Sequence, residues 1–291
     1  MARSQPIRAV LRDYLSLPKP RVVTLHLITA ASAMFLAAHG QPPGFTVLCT
    51  LAGGGLVAGA SNALNCYFDR NLDATMVRTR DRPLAAGRLK PYQALLFGAA
   101  LGLAGLAILS QYVSLVVAAL AAGAMANYLL VYTLWLKRRT YWSAIIGSAA
   151  GAVPPLAGWI AVTGGFELTP VLLCLIVSLW TLPHFWALAV SRRRDYELAG
   201  IGVLPPKYAA RWIFVCSSLL VPVTLLLKPA ADLSLLYLGA ALLLGLGLFI
   251  LAARLQHRDN AHAAQHLYRY SILYAILLFG AMAADRIASF R

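Results

Sequence analysis

Long apolar runs separated by short polar stretches make up almost the whole chain. Nine of the runs contain about 17 to 25 residues, the length that a helix needs to cross the hydrocarbon core of a bilayer. They cover residues 20–40, 45–65, 94–110, 114–134, 143–162, 168–190, 212–229, 233–253 and 268–288. The pattern predicts an all-α, polytopic membrane protein with nine transmembrane helices.

The composition supports this class of protein and excludes others. Of the 291 residues, 60% are hydrophobic and only 12% are charged, unlike an average soluble domain. The net charge of +15 does not indicate nucleic-acid binding, because the basic residues lie between apolar runs rather than along a soluble surface with stacking aromatics. The expected surroundings are therefore a lipid bilayer. The four cysteines lack CxxC spacing, so neither a zinc site nor a disulfide framework is predicted.

The lysines and arginines predict the orientation. Counted by loop, 22 of the 25 fall on one side of the nine predicted spans, and only Lys228, Arg286 and Arg291 fall on the other. Because cytoplasmic loops carry the excess of positive charge, the N-terminus is expected in the cytoplasm and the C-terminus on the opposite side. Residues 1–19 would form a cytoplasmic segment, which lacks the apolar region and cleavage site of a secretory signal. Residues 20–291 would form a single transmembrane domain.

The loop after the second span carries the clearest candidate chemistry. If the helix continues into the loop, Asn65, Asp69 and Asp73 lie four residues apart on one face. Two carboxylates and an amide oxygen at this spacing suit Mg²⁺, which takes one or two carboxylates and completes its shell with water and phosphate oxygens. Arg78 and Arg82 follow as phosphate donors. The alternative interpretation is a solvated loop in which acids and bases neutralise each other.

A second acidic loop follows the sixth span and contains Asp195 and Glu197. Half of the ten acidic residues of the chain lie in these two loops. Equivalent loops of two helical units would place paired half-sites opposite each other across a central cavity, as repeats in membrane transporters do.

Several stretches resemble one family of membrane enzymes. The Asn65-x-x-x-Asp69-x-x-x-Asp73 motif matches the first aspartate motif of the UbiA superfamily of intramembrane prenyltransferases. Further segments resemble its protohaem IX farnesyltransferase (haem O synthase) branch, and these are residues 76–84 (MVRTRDRPL), 132–140 (YTLWLKRRT), 151–155 (GAVPP), 183–189 (PHFWALA) and 195–200 (DYELAG). The similarity extends from about residue 18 to the C-terminus.

The resemblance implies nine helices around a central cavity, capped by the cytoplasmic loops between helices 2 and 3 and between helices 6 and 7. It implies Mg²⁺-dependent transfer of farnesyl from farnesyl diphosphate to haem B, giving haem O for the biogenesis of haem A and terminal oxidases. Asn65, Asp69 and Asp73 would form the first catalytic site and Asp195 the second, with the metal held by Asp69, Asp73 and Asp195. The superfamily often has another carboxylate four residues after the second motif begins, where this chain has Ala199.

The proposed chemistry needs diphosphate donors, a dry aromatic pocket and an acceptor site. Arg78, Arg82 and Lys137 are the candidate diphosphate donors, although loop arginines and lysines also set topology. Ring faces stabilise a carbocation, and the candidate aromatic residues are Tyr67, Tyr128, Tyr132, Phe185, Trp186 and Tyr196. His184 is the candidate axial ligand for haem iron. The alternatives are ordinary helix packing for the aromatics and a hydrogen-bonded core histidine for His184.

Two other functions compete with haem farnesylation. One is a UbiA-type transferase with another acceptor, such as an aromatic acid or a chlorin, and the other is a transporter of an organic ion. A transporter would carry charges in mid-helix, whereas here the acids cluster at cytoplasmic helix ends. The expected location is the bacterial inner membrane, and a downstream haem A synthase is a candidate partner for the product.

Overall fold

The computed structural model describes residues 6–257 and 261–289, and within these ranges the chain forms helices and turns with no β-strand. The helices are α1 (Ile7–Ser16), α2 (Pro20–Ala37), α3 (Gly44–Phe68), α4 (Arg70–Thr75), α5 (Pro91–Tyr112), α6 (Leu115–Ala126), α7 (Ser143–Thr163), α8 (Leu168–Ser191), α9 (Arg193–Leu198), α10 (Pro206–Ala230), α11 (Leu235–His257) and α12 (Ala261–Ser289). Helix α6 continues directly into a π-helix, Asn127–Leu136.

Nine helices in the described ranges are long and apolar enough to cross a membrane. They are α2, α3, α5, α6 with its π-helical continuation, α7, α8, α10, α11 and α12. The predicted all-α fold class with nine spans is confirmed. The largest differences are at helix starts, since α10 begins at Pro206 rather than 212 and α12 at Ala261 rather than 268. An apolar run marks the segment within the hydrocarbon, and both helices continue beyond it with polar side chains.

Small residues let the helices approach closely. A Cβ added at Gly105 of α5 would lie 2.7 Å from the carbonyl oxygen of Gly53 on α3. A Cβ at Gly158 of α7 would overlap the carbonyl of Ala30 on α2. Such positions bring helix backbones together in a lipid environment, where small residues favour association. Gly151 lines a cavity, and a Cβ added there would meet only Thr181 Oγ1, at 3.9 Å.

One end of the bundle is fastened by buried charges. The carboxylate of Asp285 on α12 accepts hydrogen bonds from the backbone N–H groups of Ser234 (3.0 Å) and Tyr237 (3.2 Å). The neighbouring Arg286 donates to the carbonyl of Ala231. These contacts join the C-terminal part of α12 to the turn between α10 and α11. The short helices α4 and α9 lie at the opposite end, where the candidate site is found.

Candidate active site

The Asn65, Asp69 and Asp73 ladder begins inside α3 and continues through a short break into α4. Helix α3 ends at Phe68, and Asp69 itself has non-helical dihedral angles (φ −89°, ψ 3°). The i to i−4 hydrogen bonds nevertheless continue, from the N–H of Asp69 to the carbonyl of Asn65 (2.9 Å) and from the N–H of Asp73 to that of Asp69 (2.7 Å). The three residues therefore remain one turn apart, and all three are buried.

Asn65 connects four elements of the structure. Its Oδ1 accepts a hydrogen bond from Lys19 Nζ (2.7 Å), and its Nδ2 donates to Asp69 Oδ2 (2.8 Å) and to Thr133 Oγ1 (3.1 Å). The amide oxygen that the sequence suggested for a metal therefore faces a lysine. Asn65 positions its neighbours, and the carboxylates of Asp69 and Asp73 are the oxygens left for a cation.

Lys19 is a site residue that sequence reasoning missed. It lies between α1 and α2 in a left-handed backbone conformation (φ 53°, ψ 68°), and the following Pro20 keeps it out of the α-helical region. Burial lowers the pKa of the Lys19 ammonium below its ordinary value of 10.5. A lysine before the first span looks like a topological charge, so no local pattern distinguishes it.

Two predicted diphosphate donors pair with the ladder carboxylates. Lys137 Nζ lies 2.5 Å from Asp69 Oδ2, and Arg82 Nη1 lies 2.7 Å from Asp73 Oδ2. Burial alone would lower the pKa of Arg82, but the charge of Asp73, its hydrogen bond to Arg82 and other neighbouring groups together outweigh burial, and the net shift is upward. The third predicted donor, Arg78, is exposed and forms no hydrogen bond or ion pair with any described residue.

The π-helix supplies a second wall of the site. Its backbone bonds run from residue i to residue i−5, as between the N–H of Lys137 and the carbonyl of Tyr132 (2.9 Å). Thr133 Oγ1 donates to the carbonyl of Tyr128, five residues earlier (2.8 Å), and accepts from Asn65. Thr133 and Lys137, four residues apart, both reach the ladder. π-Helical segments are frequent at functional sites.

Asp195 brings the second acidic loop against the first. It is buried on α9, and its Oδ1 accepts a hydrogen bond from the backbone N–H of Val77 (3.3 Å). An apolar cluster joins the two loops around this contact, and it contains Leu72, Met76, Ala189, Tyr196 and Ile201. Glu197 pairs with Arg193 on the exposed surface (2.6 Å) and does not enter the site.

The carboxylates fit a cation that shares its shell with a substrate. Among residues 6–257 and 261–289, no group of three or more His, Cys, Asp or Glu lies close enough to hold a metal by itself. Mg²⁺ does not need such a cage, because one or two carboxylates with phosphate oxygens and water complete its octahedral shell. Asp69 and Asp73 offer these hard oxygen ligands, and Asp195 lies on the adjoining loop.

An apolar cavity of about 230 Å³ lies next to the charged residues, between α2, α3, α5, α6 with its π-helix, and α7. Asn62 lines the cavity one turn before Asn65 on α3, and Tyr128 lines it from the π-helix. Most of the other lining residues are small or aliphatic, including Gly54, Ala58, Ala121, Gly151 and Ala157. The cavity can hold a slender hydrocarbon with its polar end at the carboxylates.

The predicted aromatic residues divide into separate groups. Tyr128 lines the cavity, and the ring of Tyr132 stacks on it at 5.7 Å. Phe185 and Tyr196 pack edge to face at 6.3 Å beside Asp195, where burial raises the pKa of the Tyr196 phenol.

Two of the predicted aromatics lie away from the cavity. The ring of Tyr67 packs under the guanidinium of Arg70 (4.8 Å), on the face of α3 toward α1. Trp186 is 2% exposed in the core between α8 and α10, edge-on to Trp142. Neither residue lines this cavity, because Tyr67 lies on another face of α3 and α8, which carries Trp186, contributes no lining residue.

His184 also lies outside the cavity. Its ring lies between Trp180 and Tyr268, with centroids 4.8 Å away on each side, and its Nδ1 is 2.8 Å from Ser271 Oγ. This hydrogen bond is the one expected of a core histidine, and it leaves Nε2 available. The histidine that lines the cavity is His26 on α2.

Comparisons with known proteins agree with this architecture. The sequence profile of the UbiA prenyltransferase family matches residues 26–277. The chain is 46% identical to a protoheme IX farnesyltransferase of Gloeobacter violaceus over 99% of its length and 96% of the relative. It is also 46% identical to a protoheme IX farnesyltransferase of Symbiobacterium thermophilum, over 95% and 94% of the two chains.

Solved structures share the fold at low sequence identity. A digeranylgeranylglyceryl phosphate synthase superimposes with a TM-score of 0.79 at 18% identity, covering 96% of this chain and 99% of the other. A UbiA homologue from Archaeoglobus fulgidus, bound to GPP and Mg²⁺, gives 0.65 at 15% identity, covering 93% and 99%. At this identity the likeness concerns the arrangement of the helices.

Proposed function

This chain belongs to the UbiA prenyltransferase family, and we propose that it transfers the farnesyl group of farnesyl diphosphate to a vinyl group of haem B, with addition of water, giving haem O and diphosphate. The observation that carries the proposal is the placement of paired carboxylates and cations beside an apolar cavity. The farnesyltransferase names of relatives 46% identical over nearly the whole chain support haem B as the acceptor.

The charged end of the site would bind the diphosphate. Lys19, Arg82 and Lys137 converge on the ladder from three different parts of the chain. Fixed cations aimed at the leaving oxygens stabilise the negative charge that develops as the carbon–oxygen bond breaks. Asp69, Asp73 and Asp195 would hold Mg²⁺, which when bound adds further neutralisation of the diphosphate.

The cavity would hold the farnesyl chain and keep water from its cation. The lining residues of α3 run from Thr50 to Asn62, which corresponds to about 18 Å along the helix at 1.5 Å per residue. Small side chains at Gly54 and Ala58 leave room for a methyl-branched chain. The stacked rings of Tyr128 and Tyr132 lie near the charged end, where they can stabilise an allylic cation through their faces.

The acceptor vinyl group would attack C1 of the farnesyl chain, and water would capture the resulting cation on the porphyrin side, losing a proton to leave the hydroxyl group. His184 is the proposed axial ligand, since its Nδ1 contact with Ser271 would orient the ring and leave Nε2 for iron. His26 in the cavity wall is the competing candidate.

The product of the reaction tests the function. Purified protein is incubated with haem B, farnesyl diphosphate and Mg²⁺, and the porphyrins are analysed by mass spectrometry. The expected product is haem B plus farnesyl plus water. If aromatic acids or chlorins are prenylated and haem B is not, the acceptor is wrong. Transport of an organic ion without any product would contradict transferase activity.

The location follows from the same proposal. The nine apolar helices and the family make this an integral membrane protein. We place residues 20–291, as one domain, in the bacterial inner membrane with the site and N-terminus in the cytoplasm and the C-terminus opposite, because of the distribution of lysine and arginine. A downstream haem A synthase would receive the product.

A further inference from the structure

Helix α1 carries an apolar stripe outside the nine membrane-spanning helices. Ile7, Leu11 and Leu15 are four residues apart and therefore form one row, and they are 87%, 58% and 59% exposed. An uninterrupted row of large aliphatic side chains on a ten-residue helix marks an interaction surface.

Two side chains outside the stripe attach α1 to the rest of the protein. Asp13 is only 4% exposed, and its carboxylate accepts hydrogen bonds from Arg88 Nε (2.9 Å) and Nη2 (3.1 Å). The ring of Tyr14 packs edge-on against Phe97 of α5 at 5.3 Å. Phe97 lies six residues after the start of α5 at Pro91, which is about 9 Å along the helix. The contact therefore lies within the first two turns of a membrane-crossing helix, and α1 lies beside that end of α5.

Basic residues border the stripe. Arg8 and Arg12 are exposed and lie one residue after Ile7 and Leu11, so they occupy the adjacent edge of the helix. Neither forms an ion pair within residues 6–257 and 261–289. An apolar stripe next to arginines is typical of helices that lie in the membrane interface and contact anionic lipids.

We propose that α1 is an interfacial helix, with Ile7, Leu11 and Leu15 inserted at the acyl boundary and Arg8 and Arg12 bound to the phosphates of anionic phospholipids. We infer that lipid, rather than another protein, covers the stripe, because the two arginines are positively charged and α1 is attached beside a membrane-crossing helix. Insertion at this level needs no rearrangement of the nine spans.

The same helix reaches the candidate active site. Leu17, the residue after α1, accepts a hydrogen bond from Cys66 of α3 through its carbonyl, and Lys19 follows with its contact to Asn65 (2.7 Å). Binding of α1 to lipid would therefore fix the position of the segment between α1 and α2, which carries Lys19. This consequence rests on the proposed function, whereas the position of α1 in the membrane does not.

Depth measurements on the full chain test the proposal without using activity. A nitroxide label is placed at Leu11→Cys or at Ser16→Cys, which faces away from the stripe, in a background with the four native cysteines replaced by alanine. The protein is reconstituted in nanodiscs that contain phosphatidylglycerol. The label at position 11 is expected to collide with oxygen more than with a water-soluble nickel complex, and the label at position 16 to do the reverse.

Two results would overturn the proposal. A label at position 11 that meets the nickel complex as freely as the one at position 16 would show that the stripe faces water. A label shielded from both reagents would show that protein, such as a second copy of the chain, covers it.

The role of the arginines is tested with a matched pair of double variants. Arg8→Gln with Arg12→Gln is compared with Lys207→Gln with Arg211→Gln, two exposed basic residues with the same spacing at the start of α10. Both pairs are introduced into the protein labelled at position 11. Loss of Arg8 and Arg12 is expected to raise the ratio of water-exposed to lipid-immersed label about fivefold for each arginine, and only in anionic nanodiscs. Equal effects of both pairs, or an equal effect in neutral lipid, would contradict specific contact with phosphates.

Discussion

Replacing Lys19 by methionine tests whether this residue binds the diphosphate of the substrate or stabilises the folded protein. Methionine retains an unbranched apolar stem and removes the ammonium that donates to Asn65 at 2.7 Å. A hydrogen bond to a charged group contributes about 1.5 to 3 kcal/mol. If Lys19 contacts the diphosphate, the affinity for a non-reactive farnesyl diphosphate analogue should fall about 10- to 150-fold.

Stability should change little in the same variant. Burial lowers the pKa of Lys19, which means that the folded protein binds this proton less tightly than the unfolded chain does. The charged lysine therefore lowers the free energy of unfolding at neutral pH, and methionine removes that cost. Against this, Asn65 Oδ1 loses its donor, which costs about 1 to 3 kcal/mol. The opposing contributions should leave Tm within a few degrees of the parent.

The assay is analogue binding by calorimetry beside thermal unfolding in the same nanodiscs. Lys19→Gly keeps the left-handed turn (φ 53°) without strain and should lose the same affinity, whereas exposed Lys207→Met should lose none. Unchanged analogue affinity in both Lys19 variants, or a large drop in Tm with affinity retained, would assign Lys19 to the structure and not to the substrate.

Four further outcomes follow from the site. Asp69→Asn, like EDTA, should lower turnover about 100- to 1,000-fold while the protein remains folded, as size-exclusion chromatography would show; full activity would remove the ladder from the mechanism. His184→Ala should weaken the haem Soret titration and spare analogue binding, and Asp195→Asn should do the reverse. A C-terminal alkaline phosphatase fusion should be active in a bacterial host, and an inactive one beside a fluorescent GFP fusion would refute the orientation. Analogue affinity should fall as pH rises through the lowered pKa of Lys19, and Lys19→Arg should abolish that fall.

The fold was predictable because lipid imposes simple rules. An apolar run of membrane length has few alternatives to a helix, so the nine spans and their order could be read from the sequence. The Asn65, Asp69 and Asp73 ladder could also be predicted, since a spacing of four places side chains on one face. The break at Asp69 did not disturb that spacing, because the backbone hydrogen bonds continue across it.

The rest of the site depends on geometry that local patterns do not encode. Positions 128 and 133 lie about 140° apart on an α-helix, so no helical pattern would connect Tyr128 with Thr133. The π-helix removes that separation, and it packs against α7, where the ring of Tyr132 lies against Gly147. Lys19 is likewise brought to Asn65 by tertiary structure alone. For Trp186 the sequence left two possibilities, a pocket aromatic or a packing residue, and the structure encloses it in the core.

The pairing of charges explains how a buried site can be stable before substrate arrives. Removing one partner of a buried ion pair costs about 3 to 5 kcal/mol, and here Asp69 is matched by Lys137 and Asp73 by Arg82. If the two cations turned to the diphosphate of the proposed substrate, the two carboxylates would become available to hold Mg²⁺, and substrate and metal would bind together. Lys19 differs because it faces the neutral amide of Asn65. Burial of its charge outweighs the attraction of Asp73 and Asp69, so an anion bound beside Lys19 would stabilise that charge further.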